Sequence, residues 1–410
     1  MVSTGGHQAE AARLAEPRIR GKGGSERGDE RPLAGIRVAM LNFREPRQST
    51  AGGAEEYAWQ VSRFLLAQGA SVVLVTGRQR GQRRAEVVEN IQLRRMGNPY
   101  LVYVLVPLWL LFHRRRIDAV IDTMNGIPFF SPLVVRRRTP VLCLVHHVHD
   151  QQFHAFLPRW LARIGCFVEG PVARLLYRRC LTITVSESSK LELLQKLHWL
   201  APITVVPNGC VEPEEVAQEP GQGDPAIVYA GRLVGHKRIE RVVDLAAELD
   251  ASWPGLTVHV VGRGPEQGPL ANRVAGKGLR ERVVLHGFLS ESRKNALLGA
   301  ARLNVTASEF EGWGLTVIEA AALGVPTVAY DVAGLRDSVR HGVTGWLVGE
   351  GESLADVVER ALKELSDEDR RAEVADACRA WAREFTWTRT GASITGLILA
   401  NLQDRGGAYQ

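Results

Sequence analysis

The feature that most constrains the fold is an alternation. Short β-branched or aliphatic runs, IRVAMLN (36–42), SVVLVT (71–76), AVID (119–122), VLCLV (141–145), TITV (182–185) and ITVV (203–206), are separated by helix-length amphipathic segments such as 57–68. Strands that recur with a helix between them predict a parallel sheet wrapped on both faces by helices. The pattern breaks at PNGCVEPEEVAQEPGQGDP (207–225), where proline, glycine and acid residues read as a linker. It restarts with AIVYAG (226–231), TVHVVGRG (257–264), VVLHG (283–287), LNVT (303–306), PTVAY (326–330) and GWLV (345–348). At 410 residues the chain exceeds one ordinary core, so two doubly wound α/β domains are expected. No short internal repeat relates them.

Ahead of the first strand, residues 1–33 are rich in Gly, Arg and Glu, lack the apolar stretch of a signal peptide and read as a disordered tail. The longest apolar run, LVYVLVPLWLLF (101–112), is shorter than the roughly 17–25 residues a membrane-spanning helix needs and contains Pro107. Arg114, Arg115 and Arg116 follow it, and a second triplet stands at Arg136, Arg137 and Arg138. That pairing reads as a buried helix with a solvated charged end, or as a surface for peripheral membrane contact. Five cysteines without a CxxC pair indicate neither a zinc cluster nor a disulfide framework and fit a reducing cytoplasm. A net charge of +6 suits phosphorylated ligands or an anionic surface. Basic residues are not interleaved with stacking aromatics, which argues against nucleic acid.

In doubly wound sheets ligands bind beyond the carboxyl ends of the strands, so the chemistry belongs in strand-exit loops. GRLVGHKR (231–238) is one: Arg232 and Lys237 can hold a diphosphate, the first bidentately and the second as a point charge. EFEGWGLTVIEAAALG (309–324) is another, a loop entering a short helix at 315–323 that ends at Gly324 and Pro326. Gly312 and Gly314 let backbone N–H groups approach a ligand, and the helix N-terminus favours phosphate. Carboxylates before the turn and in the second helical turn can then take sugar and ribose hydroxyls. Two lesser patterns have plainer explanations: Asp367-Glu368-Asp369 reads as a solvated helix start, and Gly262 to Glu266 lacks the third glycine of a dinucleotide fingerprint.

These pieces, with GGAEEYAWQVSRFLLAQGASVVLVT, VLCLVHHVHD, TVSESS, VVPNG, VVGRGP, GVTGWLV and WAREFTWTRT, run in order from about 36 to 400. In that order the sequence resembles the family 4 nucleotide-sugar glycosyltransferases, a retaining family of the GT-B fold. The resemblance implies two Rossmann-like domains facing across a cleft: an acceptor-binding domain at 34–212, a linker at 213–224, a nucleotide-sugar domain at 225–385 and a helix at 386–405 that returns to the first domain. It implies that Arg232 and Lys237 hold the donor diphosphate, that Glu311 contacts the donor sugar and that Glu319 binds the ribose. Gly312, Trp313, Gly314, Leu315 and Thr316 would meet sugar and phosphates. Gly52 and Gly53 would line the phosphate side, Gly262 and Gly264 would join the donor site, and His146 would sit beside the reacting sugar. Trp313 stands where the family usually has Phe, and Arg238 where it often has Gly.

The expected activity is transfer of a hexose from a UDP- or GDP-sugar to a hydroxyl acceptor, a glycolipid, polysaccharide precursor or small-molecule glycoside. No metal and no cofactor are expected; His146, His147 and His149 with Asp150 form the alternative metal cluster, and His149 otherwise reads as an acceptor-side or packing residue. The alternative function is a catalytically degenerate sugar-nucleotide-binding protein. The expected location is the cytoplasm, with peripheral contact at the inner membrane face.

Overall fold

A computed structural model of the protein describes residues 31–48, 51–98, 100–211 and 226–407. The sequence-predicted linker at 213–224 and residues 1–30 lie outside the described residues. Leu33 is fully buried, so the first domain begins before the boundary expected at 34.

Eight strands build the first sheet: β1 (Arg37–Leu41), β2 (Ser71–Gly77), β3 (Ala85–Val88), β4 (Ile91–Met96), β5 (Ala119–Met124), β6 (Val141–Val145), β7 (Leu181–Thr184) and β8 (Ile203–Val205). Their spatial order is β3-β4-β2-β1-β5-β6-β7-β8. Every neighbouring pair is parallel except the edge hairpin β3–β4. All five residues of β6 are buried, as a strand covered on both faces requires. Along β1, Val38 and Met40 join the cluster containing Tyr57 and Leu65, whereas Ala39 and Leu41 join Val75, Val102 and Val106. The alternation of side chains thus divides one strand between two helical layers.

The second sheet is formed by β9 (Ala226–Ala230), β10 (Thr257–Val261), β11 (Val283–Gly287), β12 (Leu303–Thr306), β13 (Thr327–Tyr330) and β14 (Gly345–Val348). It is parallel throughout, in the order β11-β10-β9-β12-β13-β14. Each sheet has a point where the strand order reverses, between β1 and β5 in the first and between β9 and β12 in the second. Loops leaving these strands meet across a cleft, the place where such sheets bind ligands.

The last helix, Trp387–Gly407, lies against the first domain's helix Gly53–Ala67. At the crossing Gly391 is so close to Phe64 that an added Cβ would sit 2.2 Å from its ring carbon. Farther along, Arg405 donates to the carbonyls of Arg137 at 2.9 Å and Thr139 at 3.3 Å. The segment 101–112 folds as the helix Val102–His113; Val102, Val106 and Leu110 are buried. Among the described residues no helix is long and apolar enough to cross a membrane. Asp367 caps the helix Glu368–Ala382, accepting from Arg370 N at 2.9 Å, which accounts for the acidic triplet.

Candidate active site

β9 ends in a loop that bends sharply back across the strand tips. Tyr229 Oη donates to the Arg232 carbonyl at 3.0 Å, and buried Leu233 pins the next residue through an N–H to Arg263 O at 2.9 Å. Gly262 and Gly264 make this possible: a Cβ on the first would stand 1.8 Å from Gly231 O and on the second 2.0 Å from Leu233 O. Both glycines lie one layer behind the cleft, outside the lining of its cavities. The loop then makes a tight turn at Gly235–Lys237 and enters the helix Ile239–Glu248 through Arg238, whose φ is +49°.

Opposite, β12 delivers Glu311, Gly312, Trp313 and Gly314 to the start of the helix Leu315–Ala322, one residue shorter than the sequence implied. Gly314 caps it at φ +88°. Gly312 meets the first domain: a Cβ there would be 2.5 Å from the carbonyl oxygen of His146. Ser189 Oγ donates to His146 O at 3.1 Å and also approaches Gly312 O at 3.4 Å, bridging the two domains.

Two adjoining cavities occupy the cleft. One, of about 170 Å³, is lined by Arg232, Lys237, His146, Glu311, Gly52, Gly53 and Gly312 through Leu315, among others. The other, of about 530 Å³, shares Gly52, Gly53, Arg232, Lys237 and Glu311 and adds Thr316 and Glu319. Two helix N-termini converge on them, since Gly52 caps the helix Gly53–Ala67 as Gly314 caps its own. Unpaired N–H groups and the positive dipole ends favour an anion there. Trp313 turns its side chain away: it is 5% exposed and packs edge-on against Phe385 at 4.8 Å.

The charges are tightly coupled. Lys237 Nζ donates to Glu311 Oε2. Burial is the largest single influence and pushes the Glu311 carboxyl up, but Lys237, with His147 and His236, together leave it below its ordinary value. Burial dominates at Glu319 and raises it despite the Lys294 ammonium at 3.0 Å. His146 follows β6, lies edge-on to Tyr57 at 5.4 Å, and is held neutral by burial, its pKa pushed down to about 3. His146 Nε2 is buried without a hydrogen-bond partner in the described chain. His147 and His149 stack at 4.1 Å, but among the described residues no three His, Cys, Asp or Glu side chains converge as metal ligands do.

Sequence reasoning missed several lining residues: Arg44, Asn125, Gln152, Asn208, His236 and Lys294. Glu55 was missed too, although GGAEE carries its signal: three residues after the Gly52 cap, Glu55 Oε2 accepts from Gly52 N at 2.7 Å.

Two facing doubly wound domains, with cations on one strand-exit loop and a helix N-terminus on another, define a GT-B glycosyltransferase. Two family profiles match in tandem: Glycosyltransferase Family 4 over residues 51–211 and Glycosyl transferases group 1 over residues 212–381. The chain belongs to the GT-B glycosyltransferases of family 4.

Its sequence is 25% identical over 316 residues to the alpha-D-kanosaminyltransferase of Streptomyces kanamyceticus, an alignment covering 71% of this chain and 80% of that protein. The D-inositol 3-phosphate glycosyltransferase of Nocardia farcinica is 35% identical over 194 residues, 45% of this chain and 43% of that protein, so less than half of that relative is matched. Among solved structures, the sucrose-phosphate synthase of Thermosynechococcus elongatus superposes with a TM-score of 0.73 at 19% identity, covering 88% of this chain and 98% of that one. Anabaena HepE, solved in complex with UDP and glucose, gives 0.69 at 19% identity, covering 89% and 100%.

Proposed function

We propose that the enzyme transfers a hexose from a UDP- or GDP-sugar to a hydroxyl acceptor, retaining the anomeric configuration and needing no metal. The observation that carries this is the convergence of Arg232, Lys237, two helix N-termini, Glu311 and Glu319 on one cleft. In the proposed complex the diphosphate lies between the basic loop and the helix that starts at Leu315. Glu311 takes a hydroxyl of the sugar, and Glu319 a hydroxyl of the ribose. His146, neutral and with a buried ring nitrogen to satisfy, stands beside the sugar from the other domain.

Retention is carried over from the family resemblance, and it normally calls for a nucleophile opposite the leaving group. The lining carboxylates of the smaller cavity are Glu55 and Glu311. Glu55 is held by Gly52 N and by Arg44 at 3.4 Å, and Glu311 by Lys237, so neither is free to act as a nucleophile. With retention taken from the resemblance, the mechanism we propose is substitution on one face. The bond from the anomeric carbon to the diphosphate oxygen breaks with its electron pair going to that oxygen. The acceptor oxygen bonds to the same face, and its proton passes to the departing phosphate. Arg232, Lys237 and the helix N-terminus stabilise the charge that develops.

Mass spectrometry after incubation with a panel of UDP- and GDP-sugars and of lipid and glycoside acceptors tests the reading, and proton NMR of the product's anomeric centre tests retention. A hexose adduct with the donor's anomeric configuration is expected; an inverted product would exclude the one-face mechanism. Binding of a nucleotide sugar without any turnover would favour the degenerate binding protein instead.

The reading includes peripheral membrane contact. On the helix Val102–His113, Val104, Leu108 and Phe112 are exposed along one face, and Arg114, Arg115 and Arg116 follow it. Arg115 and the triplet Arg136, Arg137 and Arg138 line a surface cavity of about 610 Å³ at the amino ends of β5 and β6. Apolar side chains beside such a basic cluster suit an anionic lipid surface. Flotation with anionic liposomes should be lost on charge reversal at Arg114, Arg115 and Arg116; unchanged flotation and turnover would end the membrane proposal.

A further inference from the structure

Glu169 is fully buried, yet it belongs to none of the interactions described so far. It sits in a π-helical turn, Val168–Val172, where Pro171 interrupts the helical run between Arg159 and Leu176. Such turns are uncommon and concentrate at functional sites. Glu169 Oε1 accepts from the backbone N of His149 at 2.8 Å and lies 3.2 Å from His149 Nδ1. Oε2 is buried with no partner in the described chain. A buried acid with an unsatisfied oxygen costs stability, so packing alone does not explain it.

What the acid does is fix His149. The His149 ring is clamped on one side by His147 at 4.1 Å and approached by Phe153 at 6.1 Å, while Glu169 takes its Nδ1. His149 lines the smaller cavity beside Gln152, Asn125 and Arg44, all from the first domain. The ring also bonds to the His147 backbone, and with Nδ1 facing Glu169, Nε2 is the atom assigned to a ligand.

We propose that Glu169 and His149 form an acceptor-orienting dyad, in which Glu169 holds Nδ1–H so that His149 Nε2 receives a hydroxyl of a polyhydroxylated, sugar-like acceptor. Glu169 is a positioning residue and His149 the contact. The proposal rests on the reading of the cleft given above. Burial supports it, because it pushes the Glu169 carboxyl up to about 8 and the His149 imidazole down to about 4. At neutral pH a neutral acid then faces a neutral ring, and glutamine reproduces the same acceptor oxygen.

The test uses the full chain loaded with UDP and the probe methyl α-D-glucopyranoside, whose binding is followed by calorimetry and by the ¹⁵N signal of His149 Nε2. The wild type should bind the probe and shift that signal. Glu169→Leu should weaken probe binding by about tenfold or more, the worth of one hydrogen bond, with UDP affinity within about twofold of wild type. Its melting temperature should fall, because the His149 backbone N–H loses its acceptor, so UDP affinity is the control for an intact fold. Glu169→Gln should restore probe affinity, and His149→Phe should resemble Glu169→Leu. Retained probe affinity in Glu169→Leu, UDP affinity that falls together with probe affinity, or a wild type that binds UDP but not the glycoside would overturn the dyad. A wild type that does not bind UDP would instead sink the reading of the donor site.

Discussion

Arg238 shows how a residue's chemistry can be inherited from its backbone. Its φ of +49° explains why glycine suits the position: the left-handed region costs an L-residue about 1–2 kcal/mol. The chain bears that strain with half-exposed ion pairs to Glu240 and Glu309, which are worth little in water. Arg238→Gly should therefore raise stability by about 1 kcal/mol in denaturant melts. Glu169 gives a pH signature. Its folded pKa lies above the unfolded one, so the native state binds the extra proton, and the Glu169 contribution to stability declines as pH rises from about 4.5 to about 8, opposed below about 6.5 by the neutral His146, His147, His149 and His236. Glu169→Gln should flatten that slope, with its largest gain at pH 8; parallel wild-type and variant slopes would contradict this assignment.

Arg232, Lys237, Glu311 and Glu319 were legible because they fall on strand-exit loops or the helix that follows. Lys294 was not. Its only signal is proximity to Glu319 across a tertiary contact, and nothing near position 294 announces it.

At the scale of elements, the strands buried on both faces were readable because they are unbroken apolar runs. The hairpin β3–β4 was missed for a physical reason. It is an edge with half its residues exposed, and its two-residue turn, Glu89-Asn90 at φ +48° and +66°, lacks the glycine that usually marks such turns. Replacing Asn90 by Gly should stabilise the chain by a few tenths to about 1 kcal/mol, measured by thermal melts. The glycines of VVGRGP were visible but their position was not: Gly262 and Gly264 admit the backbone of the loop at Gly231–Leu233 instead of lining the cavities. A motif reports that a close approach occurs, not what approaches.

For the whole molecule, the two sheets act through a shared seam. Gly312 is tight against His146 O, and Ser189 bridges the same two strands' ends, so closure depends on a glycine with no room for a methyl group. Gly312→Ala should hold the domains apart and lower turnover about 10- to 100-fold while circular dichroism stays unchanged, since misplacing reactants by a fraction of a helical radius is costly. The central claim, however, is that protein cations take the place of a divalent ion at the leaving diphosphate. The direct measurement is turnover of the purified full chain in chelator, with and without Arg232→Ala and Lys237→Ala. The account predicts a wild-type rate unaffected by chelator and a loss of about 100- to 1,000-fold for each substitution, as when one stabilising donor is removed from a developing anion. Activity that vanishes in chelator and returns with manganese, or a doubly substituted enzyme that runs at the wild-type rate, would contradict it.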